Sequence, residues 1–454
     1  MKIVIAGDGK VGHSLAESLS QEEHDIIVID NDSEALSKSI SNLDVMCVKG
    51  SAISTRTLSE AQVSDCDLMI AVTTNDELNM LCCLLSKRLG AKHTISRIRD
   101  PEYAEELSLL KKEIELDMVI NPEQATAREI SRLIKFSPAM NVEKFSRGRV
   151  EMIELPIQEG MPIEGKLLKD ISGNIIDSVL IGAVERDGEL IIPSGDFRLT
   201  QGDSIHVIGE PSKVYHFTEK IGIQIKRIKD IIIIGGGRIA YYLAKSLDDL
   251  GIKVKIIEYD YNRCVELTEL LPHCLIINGD GTDEDFLLSE NLENVDAFVT
   301  LTGRDEDNLV SAIMAKHHGV AKVIAKTNRI TQLGLIKEIG IDCVVSPKLI
   351  TADNIITYVR GLENAKDNPV NTIYRVINSK AEAAVFTVPS DAKYVGKYIK
   401  KLAIPSGMLI GAIIRKNVVI IPKGKDSILA GDTVILLSKE SKITDLKNII
   451  DIKQ

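Results

Sequence analysis

The feature that most constrains the fold is an internal repeat that spans nearly the whole chain. The segment KIVIAGDGKVGHSLAESL near the N-terminus returns in the second half as DIIIIGGGRIAYYLAKSL. Gly7 then corresponds to Gly235 and Asp30 to Glu258, both 228 positions later. The later segments IIPSG and GDSIHVI return as IIPKG and GDTVILL at a nearly constant offset. We therefore predict a duplicated module, with two copies of one multi-domain unit.

Each half divides into two parts of different character. The first part alternates apolar strands with amphipathic helices, a pattern typical of a parallel sheet covered by helices on both faces. The second part has short strands such as VLIGAVER and ELIIPSG, joined by Gly, Asp and Pro turns, which indicates a small α+β domain. We predict an α/β chain of four domains, with the bounds 1–136, 137–222, 223–358 and 359–454.

The amino-acid composition argues against some classes of binding partner. The 454 residues carry a net charge of −11, contain no Trp and are only 4% aromatic, which argues against binding to nucleic acids or lipid surfaces. The seven cysteines are scattered without a CxxC spacing, so we expect reduced thiols and no metal site. We see neither a signal peptide nor an apolar run of about 18 residues, so we expect no direct membrane insertion.

The first glycine loop follows the first predicted strand and opens a helix, as a dinucleotide-binding GxGxxG loop of a Rossmann-like domain does. Its six residues are Gly7, Asp8, Gly9, Lys10, Val11 and Gly12. Backbone N–H groups at such a helix start bind phosphate. Asp30 ends the second strand, where a carboxylate accepts hydrogen bonds from ribose hydroxyls and repels a 2′-phosphate, which favours NAD(H) or an adenine nucleotide over NADP. The alternative is that these residues form only a glycine turn, in a Rossmann-like domain that binds no nucleotide. Asp8 is unfavourable beside a phosphate unless it points away, and Lys10 offsets it.

The second glycine loop repeats this pattern with one change. Its residues are Gly235, Gly236, Gly237, Arg238 and Ile239, with Ala240 in place of the last glycine. Glu258 takes the ribose-binding position, and Arg238 adds a positive charge beside the phosphates. The alternative is a degenerate loop kept for packing.

Other candidate ligand groups follow the strand ends, where ligands bind in open parallel sheets. They are Thr73 and Thr74 after the fourth strand, Arg97 at the end of the fifth, and Asp280, Thr302 and Lys326 in the second half. The threonine hydroxyls can reach ribose or phosphate, or the segment Thr73-Thr74-Asn75-Asp76 can cap the next helix, since Thr, Asn and Asp are cap residues. Arg97 can hold a phosphate bidentately and Lys326 as a point charge, whereas a surface salt bridge is the alternative for both.

Motifs for catalysis are missing. No GxSxG, HExxH or Walker lysine motif occurs, and no acid or base is placed as a dehydrogenase requires. Cys82 and Cys83 lie in an apolar helical run and are predicted to pack in the core, while His317 and His318 are predicted to lie on the surface. We expect a regulatory binding protein and no enzyme. The alternatives are an NAD-dependent oxidoreductase and a stand-alone nucleotide sensor that acts on another transporter.

The joint order of these motifs resembles the TrkA family, the cytosolic regulatory subunits of Trk potassium-uptake systems. GDGKVG, VTTNDE and SRIRDPEY occur in the first half and IIIIGGGRIA, AKTN and SPKLITA in the second. The resemblance implies tandem RCK domains (KTN plus TrkA-C), with NAD(H) in the first site and ATP or ADP competing at one or both. It also implies a homotetrameric ring, peripheral to the inner face of the cell membrane, that gates a channel subunit of the TrkH/TrkG type.

Overall fold

The computed structural model describes residues 1–22, 24–105, 113–135, 141–171, 178–223, 228–328, 341–367, 370–377, 380–439 and 451–452. These residues form two six-stranded parallel sheets, two five-stranded antiparallel sheets and a two-stranded pair. Parallel and antiparallel sheets alternate along the chain, and the two halves have the same topology. The predicted α/β class with a duplicated module is therefore confirmed.

The first parallel sheet has the doubly wound strand order. Its strands are β1 (Lys2–Ala6), β2 (Asp25–Asp30), β3 (Met46–Lys49), β4 (Leu68–Ala71), β5 (His93–Arg97) and β6 (Met118–Ile120). Its helices are α1 (Lys10–Ser20), α2 (Ser33–Asn42), α3 (Thr55–Glu60), α4 (Asp76–Leu89), α5 (Pro101–Glu105) and α6 (Pro122–Lys135). The order β3-β2-β1-β4-β5-β6 reverses direction between β1 and β4, which opens a crevice at the carboxyl ends of these strands.

The first small domain is an antiparallel sheet in the order β10-β9-β11-β8-β7. Its elements are β7 (Asn141–Phe145), β8 (Val150–Pro156), β9 (Val179–Arg186), β10 (Glu189–Ile191), β11 (Ser204–Gly209), α7 (Leu168–Ile171) and α8 (Pro211–Lys220). Arg186 forms an ion pair with the buried Asp203 at 2.7 Å, and Arg415 repeats it with Asp432 at 2.7 Å. The repeat therefore extends to buried charge pairs as well as to strands.

The second half repeats both sheets. The second parallel sheet contains the strands β12 (Asp230–Ile234), β13 (Lys253–Glu258), β14 (Leu275–Asn278), β15 (Ala297–Thr300), β16 (Lys322–Lys326) and β17 (Cys343–Val345). The helices of this domain are α9 (Arg238–Asp248), α10 (Tyr261–Leu270), α11 (Glu284–Ser289), α12 (Asp305–His317) and α13 (Pro347–Asp367). The second small domain contains β18 (Val370–Val376), β19 (Ala381–Thr387), β20 (Leu402–Ala403), β21 (Met408–Arg415), β22 (Val418–Ile420), β23 (Thr433–Ser438) and β24 (Asp451–Ile452). Short 3₁₀ helices cover Val63–Asp65, Ser146–Gly148, Leu292–Asn294 and Ile399–Lys401.

The two parallel-sheet domains exchange their C-terminal helices, α6 and α13. Ile130 of α6 lies in one apolar core with Leu243 of α9 in the second half. Ile355 of α13 lies in another with Leu15 of α1 in the first half. Because each parallel-sheet domain depends on a helix of the other half, the two domains form one packing unit.

The three predicted domain boundaries lie at different positions relative to the helices and to the described residues. The boundary between residues 358 and 359 falls inside α13, which continues from Pro347 to Asp367. The boundary between 136 and 137 lies outside the described residues. The boundary between 222 and 223 follows α8 directly.

A cluster of carboxylates lies where α6, α13 and β7 meet. Burial raises the pKa of Glu143 to about 8, and the neighbouring charges of Glu129 and Asp353 act in the same direction. Because the pKa is raised in the folded chain, ionisation of Glu143 reduces stability as the pH rises from the ordinary Glu range to about 8.

We therefore expect Glu143→Gln to stabilise the chain. The gain should be on the order of 2 kcal/mol at pH 8.5 and should vanish near pH 4.5, because both variants are then uncharged at this position. Thermal unfolding followed across this pH range by circular dichroism tests it. A gain that does not change with pH would mean that the ionisation of Glu143 is not the cause.

The predicted positions of the cysteines and histidines can be compared directly. Cys82 and Cys83 are fully buried, and burial raises the pKa of Cys82 to about 12, so the predicted core role is confirmed. His318 is half-buried and its Nε2 lies 2.7 Å from Glu284 Oε1. In the described part of the chain, no helix combines the length and the apolar character needed to cross a membrane.

Candidate functional site

The three glycines of the first loop serve different steric purposes. Gly7 has φ +102°, and a Cβ there would lie 2.9 Å from the backbone nitrogen of Thr73. A Cβ on Gly12 would lie 1.7 Å from the Gly7 carbonyl oxygen, so its absence lets helix α1 start close to β1. A Cβ on Gly9 would meet nothing within 4 Å. The loop is thus pressed against the end of β4, and its open side is at Gly9.

The carboxylate of Asp30 is fixed beside this loop. Its Oδ2 accepts a hydrogen bond from the Asp8 backbone N–H at 2.5 Å, and its Oδ1 accepts one from the Asp32 backbone N–H at 2.9 Å. Each carboxylate oxygen has further lone pairs. Asp30 is therefore a preoriented anionic acceptor at the end of β2, as binding of ribose hydroxyls requires.

The side chain of Asp8 points away from the loop opening. It is 5% exposed, and the Ser39 hydroxyl donates to Oδ2 at 2.7 Å and lies 2.9 Å from Oδ1. Burial raises the pKa of Asp8, while the contacts to Ser39 and His13 act in the opposite direction. Since the carboxylate is turned towards α2, its charge does not stand in front of the loop, and Lys10 remains exposed at the helix start.

The end of β4 is organised by a residue that the sequence analysis missed. Asn79 Oδ1 accepts hydrogen bonds from the Thr73 backbone N–H at 2.8 Å and its hydroxyl at 2.7 Å, while Asn79 Nδ2 donates to the Arg97 carbonyl at 3.0 Å. Asn75 caps α4, because its side chain accepts from the Leu78 backbone N–H, so the predicted capping by this segment is confirmed at Asn75.

The second half repeats this arrangement around Asn308. Its Oδ1 accepts from the Thr302 backbone N–H at 2.8 Å and hydroxyl at 2.9 Å, and its Nδ2 donates to the Lys326 carbonyl at 3.1 Å. The signal was present in the paired segments TNDELNM and GRDEDNL, which share this asparagine.

Arg97 and Lys326 lie at the ends of equivalent strands. Arg97 is 8% exposed and donates to the Thr73 carbonyl, while burial, followed by the nearby charge of Arg99, lowers its pKa to about 10. Lys326 donates to the Thr302 carbonyl, and burial lowers its pKa. Among the described residues, no carboxylate forms an ion pair with Arg97 or Lys326, and both donate instead to backbone carbonyls. Each is a desolvated cation facing the crevice.

The second glycine loop has the same backbone geometry. Gly235 has φ +93°, and a Cβ on Gly237 would meet nothing within 4 Å. Glu258 Oε2 accepts from the Gly236 backbone N–H at 2.6 Å, and Oε1 accepts from the Asp260 backbone N–H at 2.8 Å. The longer Glu side chain therefore takes the role of Asp30. Ala240 is fully buried, so the second loop accommodates the extra methyl group.

Two predicted ligand residues of the second half contact other protein groups. The Arg238 guanidinium faces the first half, where it lies 3.9 Å from Asp100 Oδ2. Asp280 Oδ1 closes a local turn by accepting from the Thr282 backbone N–H at 2.8 Å and hydroxyl at 2.7 Å, contacts that lower its pKa. Arg238 therefore lies at the boundary between the two parallel-sheet domains.

One further polar group lies between the small domains. The ligand atoms of Glu154, Glu185 and His206 all lie within 4.8 Å of one another, but Lys380 of the second half already contacts Glu185 Oε1 at 2.8 Å. An ion pair across the domain contact accounts for Glu185, and we assign no metal to this group.

Domain families with the same tandem order match the chain. The TrkA-N domain matches residues 3–122 and 231–347, and the TrkA-C domain matches residues 152–222 and 383–451. The chain belongs to the TrkA family. The Trk system potassium uptake protein TrkA homolog 2 of Methanosarcina mazei is 33% identical, over 99% of this chain and 100% of its own length. The Trk system potassium uptake protein TrkA of Haemophilus influenzae is 34% identical, over 100% of this chain and 98% of its own length.

Solved structures share this TrkA fold. The GsuK RCK domain superposes with a TM-score of 0.64 at 20% identity and covers 96% of this chain and 92% of its own. The GsuK channel bound to NAD gives a TM-score of 0.63 at 20% identity and covers 96% of this chain and 76% of its own. At this identity the likeness shows the fold, two Rossmann-like sheets each followed by a TrkA-C type antiparallel sheet.

Proposed function

We propose that this TrkA-family chain is a nucleotide-binding regulatory subunit that gates a Trk-type membrane potassium transporter. NAD(H) binds at the first glycine loop, and ATP or ADP binds at the second or competes at both. The chain acts without catalysis, as a homotetrameric ring of four-domain subunits beneath a TrkH/TrkG-type channel at the inner membrane face. The observation that carries the proposal is the fixed carboxylate beside each loop, Asp30 in the first and Glu258 in the second.

The exchanged helices connect each nucleotide site to the contact between the two halves. Helix α1 begins at the first glycine loop and packs against α13 of the other half, while α9 begins at the second loop and packs against α6. A nucleotide can shift the arrangement of the two halves only by its difference in affinity for two arrangements. Because each loop opens a helix that packs against a helix of the other half, that difference can arise at either site.

Calorimetric titration of the purified chain with NADH and with ATP tests the two sites. We expect Asp30→Asn to weaken NADH binding by at least about tenfold, since it replaces a charged acceptor of ribose hydroxyls by a neutral amide. Glu258→Gln should weaken ATP binding to a similar degree and leave NADH binding intact.

Asp25→Asn provides the matched control, because Asp25 is an exposed carboxylate at the other end of the same strand as Asp30. It should change neither affinity. If neither NADH nor ATP binds the wild-type chain, both loops are structural and the proposal is wrong.

Arg238 offers a test of how a terminal phosphate is recognised. Its guanidinium lies at the boundary between the halves, where its charge also acts on Arg97 and Glu123. We expect Arg238→Ala to reduce the ratio of ATP to ADP affinity several-fold, because one charge-assisted contact to the γ-phosphate is lost. Competition binding with the two nucleotides measures the ratio, and an unchanged ratio would rule out this role.

A further inference from the structure

The second small domain carries an excess of positive charge that the first small domain lacks. Residues 393–425 contain eight lysines and arginines and no Asp or Glu. The equivalent residues 162–196 of the first small domain contain three lysines and arginines and seven Asp and Glu residues. Because both segments form the same strands of one repeated domain, folding does not require this charge.

Backbone hydrogen bonds show which residues of the two copies correspond. The Lys169 N–H donates to the Gly195 carbonyl at 2.9 Å, and the Lys400 N–H donates to the Gly424 carbonyl at 3.1 Å. With this alignment, three exposed carboxylates of the first copy are replaced by exposed lysines in the second. The replaced residues are Asp170, Asp187 and Asp196, and their counterparts are Lys401, Lys416 and Lys425.

One of these replacements turns an ion pair into a pair of like charges. In the first small domain, Lys169 Nζ lies 2.7 Å from Asp196 Oδ1. Lys400 and Lys425 take these two positions in the second small domain. Neighbouring cations on adjacent strands repel each other, so the replacement opposes folding and favours contact with an anionic partner.

The lysines come together on one surface of the second small domain. Segment 396–401 runs antiparallel to segment 424–428, joined by backbone hydrogen bonds of 2.8 to 3.1 Å. Arg415 Nη2 donates to the Ser427 carbonyl at 2.7 Å, which brings the turn after β21 to the same place. Among the described residues, no carboxylate forms an ion pair with the five exposed lysines of this surface. We call them the basic face: Lys397, Lys400, Lys401, Lys416 and Lys425.

Two apolar side chains are exposed beside these lysines. Tyr398 is 51% exposed in segment 396–401, and Val418 is 63% exposed at the start of β22. The side chain at the position of Val418 in the first copy is Glu189. Lysines attract anionic headgroups, while tyrosine and aliphatic side chains favour the boundary between headgroups and acyl chains. A soluble polyanion offers no apolar layer for Val418, so the combination favours a lipid surface.

We propose that the basic face binds the anionic phospholipid surface of the inner membrane leaflet, with Tyr398 and Val418 in the headgroup layer. Of the proposed function, this inference takes only the location beneath the membrane, and it requires neither a nucleotide nor the channel. The net charge of −11 does not oppose the contact, because physiological salt screens charges beyond about 8–10 Å. The composition of the whole chain conceals this local surface.

Co-sedimentation of the full-length chain with lipid vesicles tests the proposal. The wild type should bind vesicles of phosphatidylcholine mixed with phosphatidylglycerol, release them as the salt concentration rises, and not bind phosphatidylcholine alone. The test variant combines Lys401→Asp, Lys416→Asp and Lys425→Asp, so each new side chain is the one that the first copy has at that position. It should lower the partition onto the anionic vesicles by at least about tenfold, because each lysine near the surface adds to the attraction.

The control is a triple variant with the same change in net charge. It combines Lys213→Asp, Lys229→Asp and Lys253→Asp, three exposed lysines outside the second small domain, and should bind vesicles like the wild type. Val418→Ser should weaken binding to anionic vesicles and leave binding to immobilised heparin unchanged. Both triple variants should still bind NADH, which shows that they are folded.

Three outcomes overturn the proposal. The wild type does not bind the anionic vesicles, it binds heparin but not the vesicles, or the two triple variants bind the vesicles equally. Because the vesicle assay contains no nucleotide, retained NADH binding in any of these outcomes leaves the proposed function standing.

Discussion

Replacing Gly7 by Ala is expected to lower the free energy of unfolding of the first parallel-sheet domain by about 2–4 kcal/mol. Two physical causes add. Gly7 has φ +102°, which an L-residue with a Cβ rarely adopts, and the new methyl group would lie 2.9 Å from the Thr73 backbone nitrogen and 3.0 Å from its Cα. Backbone atoms cannot rotate away as a side chain can, so the loop or the end of β4 must shift.

Urea unfolding followed by circular dichroism measures this loss, and Gly9→Ala is the matched control. A methyl group on Gly9 meets nothing within 4 Å, and Gly9 has an extended backbone with φ −72°. Gly9→Ala should therefore unfold like the wild type but bind NADH more weakly, because its methyl group enters the space over the loop. Equal unfolding midpoints for Gly7→Ala and Gly9→Ala would contradict the steric argument.

Replacing Arg360 by Ala is expected to cost about 3–5 kcal/mol, because it removes a largely buried cation that contacts two largely buried carboxylates. Arg360 of α13 contacts Glu22 through Nε and Nη2, both at 3.0 Å, and Glu382 through Nη1 at 2.8 Å. The three side chains are only 12%, 13% and 3% exposed. They come from three different domains, so the loss should appear as reduced cooperativity between the halves as well as a lower midpoint.

The control for this variant is Arg88→Ala, which removes an ion pair of the same chemistry from the surface. The Arg88–Glu115 pair is 66% and 50% exposed, and exposed pairs contribute little to stability. Thermal unfolding of both variants should separate them clearly. If Arg360→Ala unfolds at the temperature of Arg88→Ala, the buried cluster does not hold the domains together.

Local sequence patterns predicted those features that depend on one repeat alone. The strands from β1 to β5 and their parallel order follow from apolar runs and glycine positions, and the steric need for Gly7 follows from its place after a strand. The burial of Cys82 and Cys83 follows from their apolar surroundings in α4. In each case the determining contacts lie within one domain, where hydrophobic periodicity is informative.

Features that depend on the contact between halves could not be predicted in this way. Arg238 belongs to the second glycine loop in sequence, yet its guanidinium faces Asp100 of the first half. The direction of Asp8 could not be predicted even within one half, because it depends on Ser39, a small polar residue on a neighbouring helix that carries no motif. Such outcomes depend on packing between distant segments.

The exchange of last helices also determines when the first half can complete its core during synthesis. Leu15 and Leu19 are made near the start, but the residues that cover them, Ile355 and Val359, emerge only after most of the chain. At a synthesis rate of about 5–20 residues per second, the apolar side of α1 remains uncovered by α13 for roughly 20–70 s. The nascent chain thus passes through a long interval in which this surface is open to aggregation or to chaperones, and synthesis beyond residue 359 ends it.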